Sequence, residues 1–91
     1  MRILYDAEKR AWTLRERGLD FDDAVRVFAG TTIDIIDDRK DYGEVRWLSF
    51  GHLFGRLVVV VWTQRRDGRH IISMRKANER EQDKFGRQLG P

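Results

Sequence analysis

The chain has 91 residues, of which 41% are hydrophobic and 36% are charged, and its formal net charge is +3. This length suits a single domain over residues 1–91 with one modest core. The absence of cysteine excludes disulfides, thiolate metal sites and cysteine nucleophiles. The longest apolar run, LVVVVW, is far shorter than the roughly 20 residues of a membrane span, and the first residues lack a signal-peptide core. We therefore expect a cytoplasmic protein without a membrane partner.

Two helices are predicted at the start of the chain. Asp6 can cap the first helix, which should run to about Arg17 before Gly18 supplies a left-handed stop. Asp20 can cap the second helix, which should end at Gly30. The second helix should bury an apolar stripe with the spacing i, i+3, i+4 and i+7, formed by Phe21, Ala24, Val25 and Phe28.

From Thr31 onward the apolar residues recur with a period of two, which is typical of strands. Four antiparallel strands are predicted, formed by TTIDIID, EVRWLSF, RLVVVVWTQR and RHIISMR, with GHLFG as a turn. The third strand barely alternates, so it should be buried on both faces. The dipeptide Asp67-Gly68 predicts a tight hairpin turn before the fourth strand.

A last helix is predicted from about Glu79 to Gln88, because Asn78 and Glu81 form a capping-box pattern. The predicted fold class is therefore α+β, with two N-terminal helices, an antiparallel sheet of about four strands and a C-terminal helix.

Charge is distributed unevenly along the chain. Five arginines and one acid lie between Arg56 and Arg75, whereas eight acids lie between Asp20 and Glu44. We expect a basic end that suits phosphates and a separate acidic end. Ordinary surface charge would explain the same composition equally well.

The hairpin turn also predicts which side chains share a face of the sheet. A two-residue loop at Asp67-Gly68 places the following residues on one face: Arg66, Trp62 and Val60 from one strand, and Arg69, Ser73 and Arg75 from the other. Cations beside an aromatic ring suit single-stranded nucleic acid, because the cations bind phosphates and a base stacks on the ring. The opposite face, with Arg65 and His70, should be mostly core. A β-bulge would reverse this assignment.

Structural explanations exist for the same residues. Arg75 and Lys76 would also serve to cover a strand end in water, and Trp62 would fit a core position. His52 in a turn could serve as a general base but fits polar surface, and His70 beside isoleucines fits a hydrogen-bonded edge position, so neither histidine is clearly placed as the base. RNA cleavage through its own 2′-OH needs a base, an acid and fixed cations, but no metal. The residues alone therefore predict a phosphate-binding face and no complete mechanism.

The sequence resembles the BrnT family of bacterial type II toxins over nearly its whole length. The resemblance lies in YDAEKRAWTLRERGLDFDDAVRVF, GEVRW, VVVVWTQR and especially HIISMRKANEREQDKF. It implies a RelE-like fold and a metal-independent ribonuclease that needs no cofactor and inhibits translation and growth. It also implies a BrnA-type antitoxin with a ribbon-helix-helix DNA-binding domain. Contact with DNA would then be indirect, through an antitoxin complex that represses its own operon.

The resemblance also implies a set of functional residues. The catalytic candidates are Arg65 in TQR, Arg75 and Lys76 in SMRKA, and more weakly Glu79 and Arg17. The RNA-contact candidates come from the residue pattern instead: they are Arg66, Arg69 and Trp62 on the predicted hairpin face, together with Lys9.

Two positions depart from the family pattern. Glu16-Arg17-Gly18 stands where Lys-His-Gly is often found, and Phe85 stands where tyrosine is common. These departures support an alternative, in which the protein is a catalytically weak member that mainly binds its antitoxin and co-represses its operon. A non-enzymatic RNA-binding module is a third hypothesis.

Overall fold

The strands of the protein form one five-stranded sheet in the order β1-β5-β4-β3-β2. The computed structural model describes residues 1–90. Its helices and strands have the following bounds: β1 (Ile3–Tyr5), α1 (Ala7–Arg17), α2 (Ala24–Ala29), β2 (Ile33–Ile36), β3 (Trp47–Leu53), β4 (Arg56–Arg65), β5 (Gly68–Lys76) and α3 (Glu79–Leu89). A 3₁₀ turn at Phe21–Asp23 leads into α2. The α+β class is confirmed, although the sheet differs from the predicted one.

The strand β1 is the main difference, because it makes the sheet mixed rather than antiparallel. It pairs in parallel with residues 69–71 of β5. Gly68 allows this close approach: its φ is 141°, and a Cβ atom there would lie 2.5 Å from the carbonyl oxygen of Arg2. The backbone N–H of Arg69 donates to the same oxygen at 3.0 Å. A side chain at position 68 would therefore push β1 off the sheet.

The predicted caps are present in the two N-terminal helices. The carboxylate of Asp6 accepts hydrogen bonds from the first turn of α1, and Gly18 ends that helix with a φ of 69°. Asp20 caps the 3₁₀ turn, so the α-helical part begins only at Ala24. The second predicted helix is thus shorter than expected.

The buried stripe of this segment also differs from the predicted one. Phe21, Ala24 and Val27 are buried, whereas Val25 is 42% exposed. The 3₁₀ turn changes the rotation per residue, so the helical spacing counted from Phe21 does not hold.

The strand β4 is buried on both faces, as predicted. Val58, Val60 and Trp62 join a core with the 3₁₀ turn and α2. Leu57 and Val59 join a second core with Phe85 of α3. We call these two sides of the sheet the α2 face and the α3 face.

The β4–β5 hairpin turns one residue earlier than predicted. Arg65 pairs with Gly68, so the loop consists of Arg66 and Asp67. Gly68 is needed beside β1 instead of within the turn. A bulge between Val61 and Trp62 then shifts the register again.

The bulge changes the predicted faces. It leaves Val61 opposite Ser73 and Val59 opposite Arg75, so Ser73 and Arg75 lie on the α3 face. There they share a face with Arg65. The predicted register had instead placed them on the same face as Trp62.

The preceding hairpin turns later than GHLFG indicated, because β3 continues to Leu53. Its turn is formed by Phe54 and Gly55, with φ values of 50° and 80°. Positive φ at both central residues is typical of a type I′ turn, whose twist matches that of the strands.

Candidate nucleic-acid interface

Three polar side chains of β5 lie in a row on the α3 face. We call His70, Ser73 and Arg75 the β5 track; Thr63, Val61 and Val59 lie opposite them on β4. Five residues separate the ends of the track, which corresponds to roughly 16 Å along a strand. The track is the most polar part of a sheet whose centre is otherwise apolar.

Arg65 and Arg75 lie at opposite ends of this face. Arg75 is opposite Val59, six residues from Arg65 on β4. At roughly 3.3 Å per residue, the two positions are about 20 Å apart. The two arginines to which the family resemblance points therefore cannot bind the same phosphate.

At the hairpin end, His70 is held between a cation and a carboxylate. Arg65 Nη1 lies 3.3 Å from His70 Nδ1, and His70 Nε2 lies 2.8 Å from Asp67 Oδ1. A guanidinium group can only donate, so Nδ1 is the acceptor and the ring proton resides on Nε2. That N–H group lowers the pKa of the Asp67 carboxyl below its ordinary value, which keeps the carboxylate charged. The lone pair of Nδ1 thus faces the cation and becomes available to a proton when Arg65 turns to a ligand.

Arg65 is weakly paired. Its guanidinium lies 3.3–3.4 Å from the Glu44 carboxylate, and its side chain is 47% exposed. Charge-assisted hydrogen bonds are usually about 2.7–2.9 Å long, so an incoming phosphate could replace Glu44 at low cost. After this exchange the Glu44 carboxylate would still be paired with Arg46, whose Nε lies 3.6 Å away. The acidic and basic segments meet here, which corrects the expectation that they form separate ends.

The loop that carries Glu44 is anchored across β4. The Thr63 hydroxyl donates to the Val45 carbonyl at 2.7 Å, and the Asp37 N–H donates to the Arg46 carbonyl at 2.8 Å. The Asp37 carboxylate is buried and accepts two hydrogen bonds from Arg39, at 2.7 and 2.8 Å. These bonds lower its pKa to about 2.

We expect Asp37→Asn to remove a pH-dependent part of the stability. Because the folded pKa is depressed, this contribution is fully present above the ordinary carboxyl pKa and is lost as the pH falls through about 2. Urea unfolding at about pH 5 should show a less stable variant, and the gap should narrow toward about pH 2. Asp38→Asn, at the exposed neighbouring position, controls for the loss of one charge. A gap that stays constant with pH would contradict this role.

At the other end of the track, Arg75 holds the start of α3. Its guanidinium donates to both carboxylate oxygens of Glu81, at 2.7 and 2.8 Å. This pair raises the pKa of Arg75 and lowers that of Glu81. Glu81 also accepts from the backbone N–H of Asn78 and so completes the capping box. Arg75 therefore has a structural role through Glu81, whereas the structural explanation from the sequence was only that it covers a strand end.

We expect Arg75→Ala and Glu81→Ala each to lower the free energy of unfolding. A double-mutant cycle measured by urea unfolding should give a coupling of roughly 1 kcal/mol, the upper end for exposed pairs, because this pair is bidentate and partly buried. Arg80→Ala, on the exposed surface of the same helix, is the matched control. Strictly additive single effects would show that the pair does not stabilise the fold.

The remaining catalytic candidates lie around the track rather than together. Arg17 donates from Nη1 to the Met74 carbonyl at 2.8 Å, and so lies against the edge of β5. Lys9 lies near it, because both line a pocket of about 220 Å³ that also includes Ser73. Lys76 and Glu79 are exposed where β5 gives way to α3.

Trp62 and Arg69 lie on the α2 face, away from the track. Trp62 is 6% exposed, and its Nε1 donates to the Ser49 hydroxyl at 2.7 Å. The Arg69 guanidinium lies 4.1 Å from the centre of that ring and 4.6 Å from that of Phe28. The predicted stacking ring is therefore a core residue. Arg66, in contrast, is exposed in the hairpin loop.

Three further findings concern residues 1–90. Phe85 is 6% exposed and packs on Phe50 with ring centres 4.2 Å apart, so this departure from the family pattern falls in the core. Across the same range, no group of three or more histidine, aspartate or glutamate side chains could hold a metal ion. Nor is any helix there long and apolar enough to cross a membrane.

The fold and the β5 track define a small α+β domain with cations and a histidine along one sheet face, a surface suited to phosphate groups. A family model described as "Ribonuclease toxin, BrnT, of type II toxin-antitoxin system" matches residues 5–81. The chain therefore belongs to this family of ribonuclease toxins, as its sequence motifs predicted, and membership implies an antitoxin partner. No curated protein matches the chain.

Proposed function

We propose that the protein is a toxin that acts as a metal-independent endoribonuclease in the cytoplasm and inhibits translation and growth by cutting RNA. The observation that carries this proposal is the contact between Arg65 and His70, which sets a cation beside an imidazole nitrogen that can accept a proton. The family description as a ribonuclease toxin supports it.

In the proposed reaction, Arg65 leaves Glu44 and His70 Nδ1 and binds the scissile phosphate, which frees the lone pair of Nδ1. His70 Nδ1 accepts the proton of the 2′-OH, and the 2′-oxygen forms a bond to phosphorus. The bond from phosphorus to the 5′-oxygen breaks, and the 5′-oxygen takes a proton from water. The products are a 2′,3′-cyclic phosphate and a 5′-hydroxyl. Asp67 holds the ring proton on Nε2 and stabilises the imidazolium as it forms.

The exposed cations around the hairpin would bind neighbouring phosphates. Arg66 lies in the hairpin loop at one end of the β5 track. Lys76 lies at the far end of β5 opposite Val58, on the α2 face, so it would bind RNA only where the strand leaves the track. We assign Arg17 and Glu79 no proton transfer, because Arg17 is a poor base and Glu79 lies beyond the track. Arg75 would contribute charge while it holds α3.

We also propose that the antitoxin is of the BrnA type, with a ribbon-helix-helix domain that provides the only contact with DNA. The antitoxin would cover the β5 track and so block RNA. Adding it should stop RNA cleavage, and a complex that cleaves as fast as the free toxin would contradict this arrangement.

The central test is the cleavage of an end-labelled single-stranded RNA by the purified chain in EDTA. The wild type should cut and leave cyclic phosphate ends, whereas Arg65→Ala should lose about 10²–10³-fold in rate, as when an electrostatic stabiliser is removed. Arg56→Ala is the matched control, because Arg56 is exposed on the same strand but at the opposite end. Equal rates for both variants would disprove the role of Arg65. RNA left intact by the wild type, also on ribosomes, would favour the antitoxin-binding alternative.

A further inference from the structure

Trp12 on α1 is an exposed aromatic residue among cations, a feature that the proposed reaction does not use. Its side chain is 45% exposed, whereas Trp62 is 6% exposed. The Arg17 guanidinium lies 5.0 Å from the centre of the Trp12 ring. A ring beside cations suits a nucleobase joined to phosphates.

The ring forms a wall of the pocket that Lys9 and Arg17 line. The pocket is completed by Thr13 of α1 and by Ile72 and Ser73 of β5. Its volume of about 220 Å³ is below the roughly 300–1,000 Å³ of sites that enclose a whole small molecule, so it would hold part of a larger ligand. The lining combines an aromatic face, hydroxyl groups and cations.

The pocket lies directly beside the β5 track. Ser73 belongs to both, and it is three residues, or roughly 10 Å, from His70 along the strand. Arg17 is fixed by its hydrogen bond to the Met74 carbonyl at 2.8 Å, which leaves its other N–H groups for a ligand. A strand of RNA held at Arg65 would therefore pass this pocket with a neighbouring base within reach.

We propose that the pocket beside Trp12 is a subsite for one base of single-stranded RNA next to the cleaved phosphate. The base stacks on Trp12, and Lys9 and Arg17 bind the adjoining phosphate. This proposal adds a base-binding subsite to the proposed function, and it rests on that function because it takes RNA as the substrate.

The test measures binding separately from cleavage. The probe is a fluorescein-labelled 2′-O-methyl oligonucleotide, which cannot be cut because its 2′-oxygen carries no proton. Trp12→Leu should weaken binding measured by anisotropy about 5- to 150-fold, which is the value of stacking one base. Trp12→Phe should keep most of the affinity. The oligonucleotide should also quench tryptophan emission in the wild type, and this quenching should be largely lost in Trp12→Phe.

The matched control is Leu14→Ala, because Leu14 is also 45% exposed on α1 but does not line the pocket. Affinity that is unchanged in Trp12→Leu, or a wild type that does not bind the probe, would overturn the subsite. Cleavage of unmodified RNA by the wild type is measured in parallel. If the wild type binds the probe through Trp12 but cleaves no RNA, the subsite stands and the catalytic proposal is disproved. If the wild type cleaves RNA but Trp12→Leu binds the probe as tightly as the wild type, the catalytic proposal stands and the subsite is disproved.

Discussion

Replacing His70 by asparagine should lower the rate of RNA cleavage by about 10²–10⁴-fold, the usual contribution of a general base. The asparagine side chain can place an oxygen near the position of Nδ1, so the hydrogen bond from Arg65 can persist while the proton acceptor is lost. Binding of the uncleavable oligonucleotide should change little. Single-turnover cleavage of a labelled RNA measures the first effect and anisotropy the second.

The chain offers a matched control in its other histidine. His52 lies opposite Leu57, at the far end of β4 from Arg65, so His52→Asn should cleave at the wild-type rate. Asp67→Asn tests the positioning of the ring: an amide can donate to Nε2 and favour the wrong tautomer. The ¹⁵N chemical shifts of the His70 ring would report that change. A His70→Asn variant that retains full activity would remove the proposed base.

The predictable parts of the fold are those encoded by local chemistry. The Asp6 cap, the Gly18 stop and the capping box at Asn78 each depend on a few neighbouring residues, and all are present. The strand β1 was missed, because three residues cannot show a period and its pairing with β5 is set by long-range packing. Gly68 signalled a turn, but its small size serves the approach of β1 instead.

The candidate site was harder to predict, because it depends on register. The bulge decides which hairpin side chains share a face, and the turn shifted by one residue decides which of them are directly opposite. Arg65 remained a candidate through the family motif alone, and His70 through its polar character. The predicted turn already placed Arg65 opposite His70, but that face was assigned to the core. Trp62 was chosen as the stacking ring because the predicted register placed it on the same face as Arg66 and Arg69.

Trp12 was overlooked although the sequence contains a signal for it. In α1 the buried residue is Thr13, and cations recur through the helix without an apolar stripe. A large ring in such a helix cannot be part of a core face. Exposure of the ring follows from that pattern.

Phe21→Ala should have the largest effect on stability, a loss of about 3–5 kcal/mol in the free energy of unfolding. Phe21 is 0% exposed and packs edge-to-face on Tyr5, with ring centres 5.8 Å apart. Removing it leaves a cavity under the 3₁₀ turn where the core meets β1 and β5. Since small domains are stable by only about 5–15 kcal/mol, the variant should be close to unfolded at room temperature. Urea unfolding followed by circular dichroism measures the loss.

Phe54→Ala provides the same chemical change at a position that is 79% exposed. Phenylalanine and alanine both carry a Cβ atom, so the substitution leaves the strain of the positive φ at position 54 unaltered. The free energy of unfolding should therefore change by less than about 0.5 kcal/mol. Phe28→Ala should fall between the two, because its ring packs on Trp62 at 5.6 Å but is only half-buried. If Phe28→Ala cost more than Phe21→Ala, the centre of this core would lie at Phe28 and Trp62 and not beneath the 3₁₀ turn. We expect the loss in the free energy of unfolding to be largest for Phe21→Ala and smallest for Phe54→Ala. This order tests whether burial alone ranks the three rings.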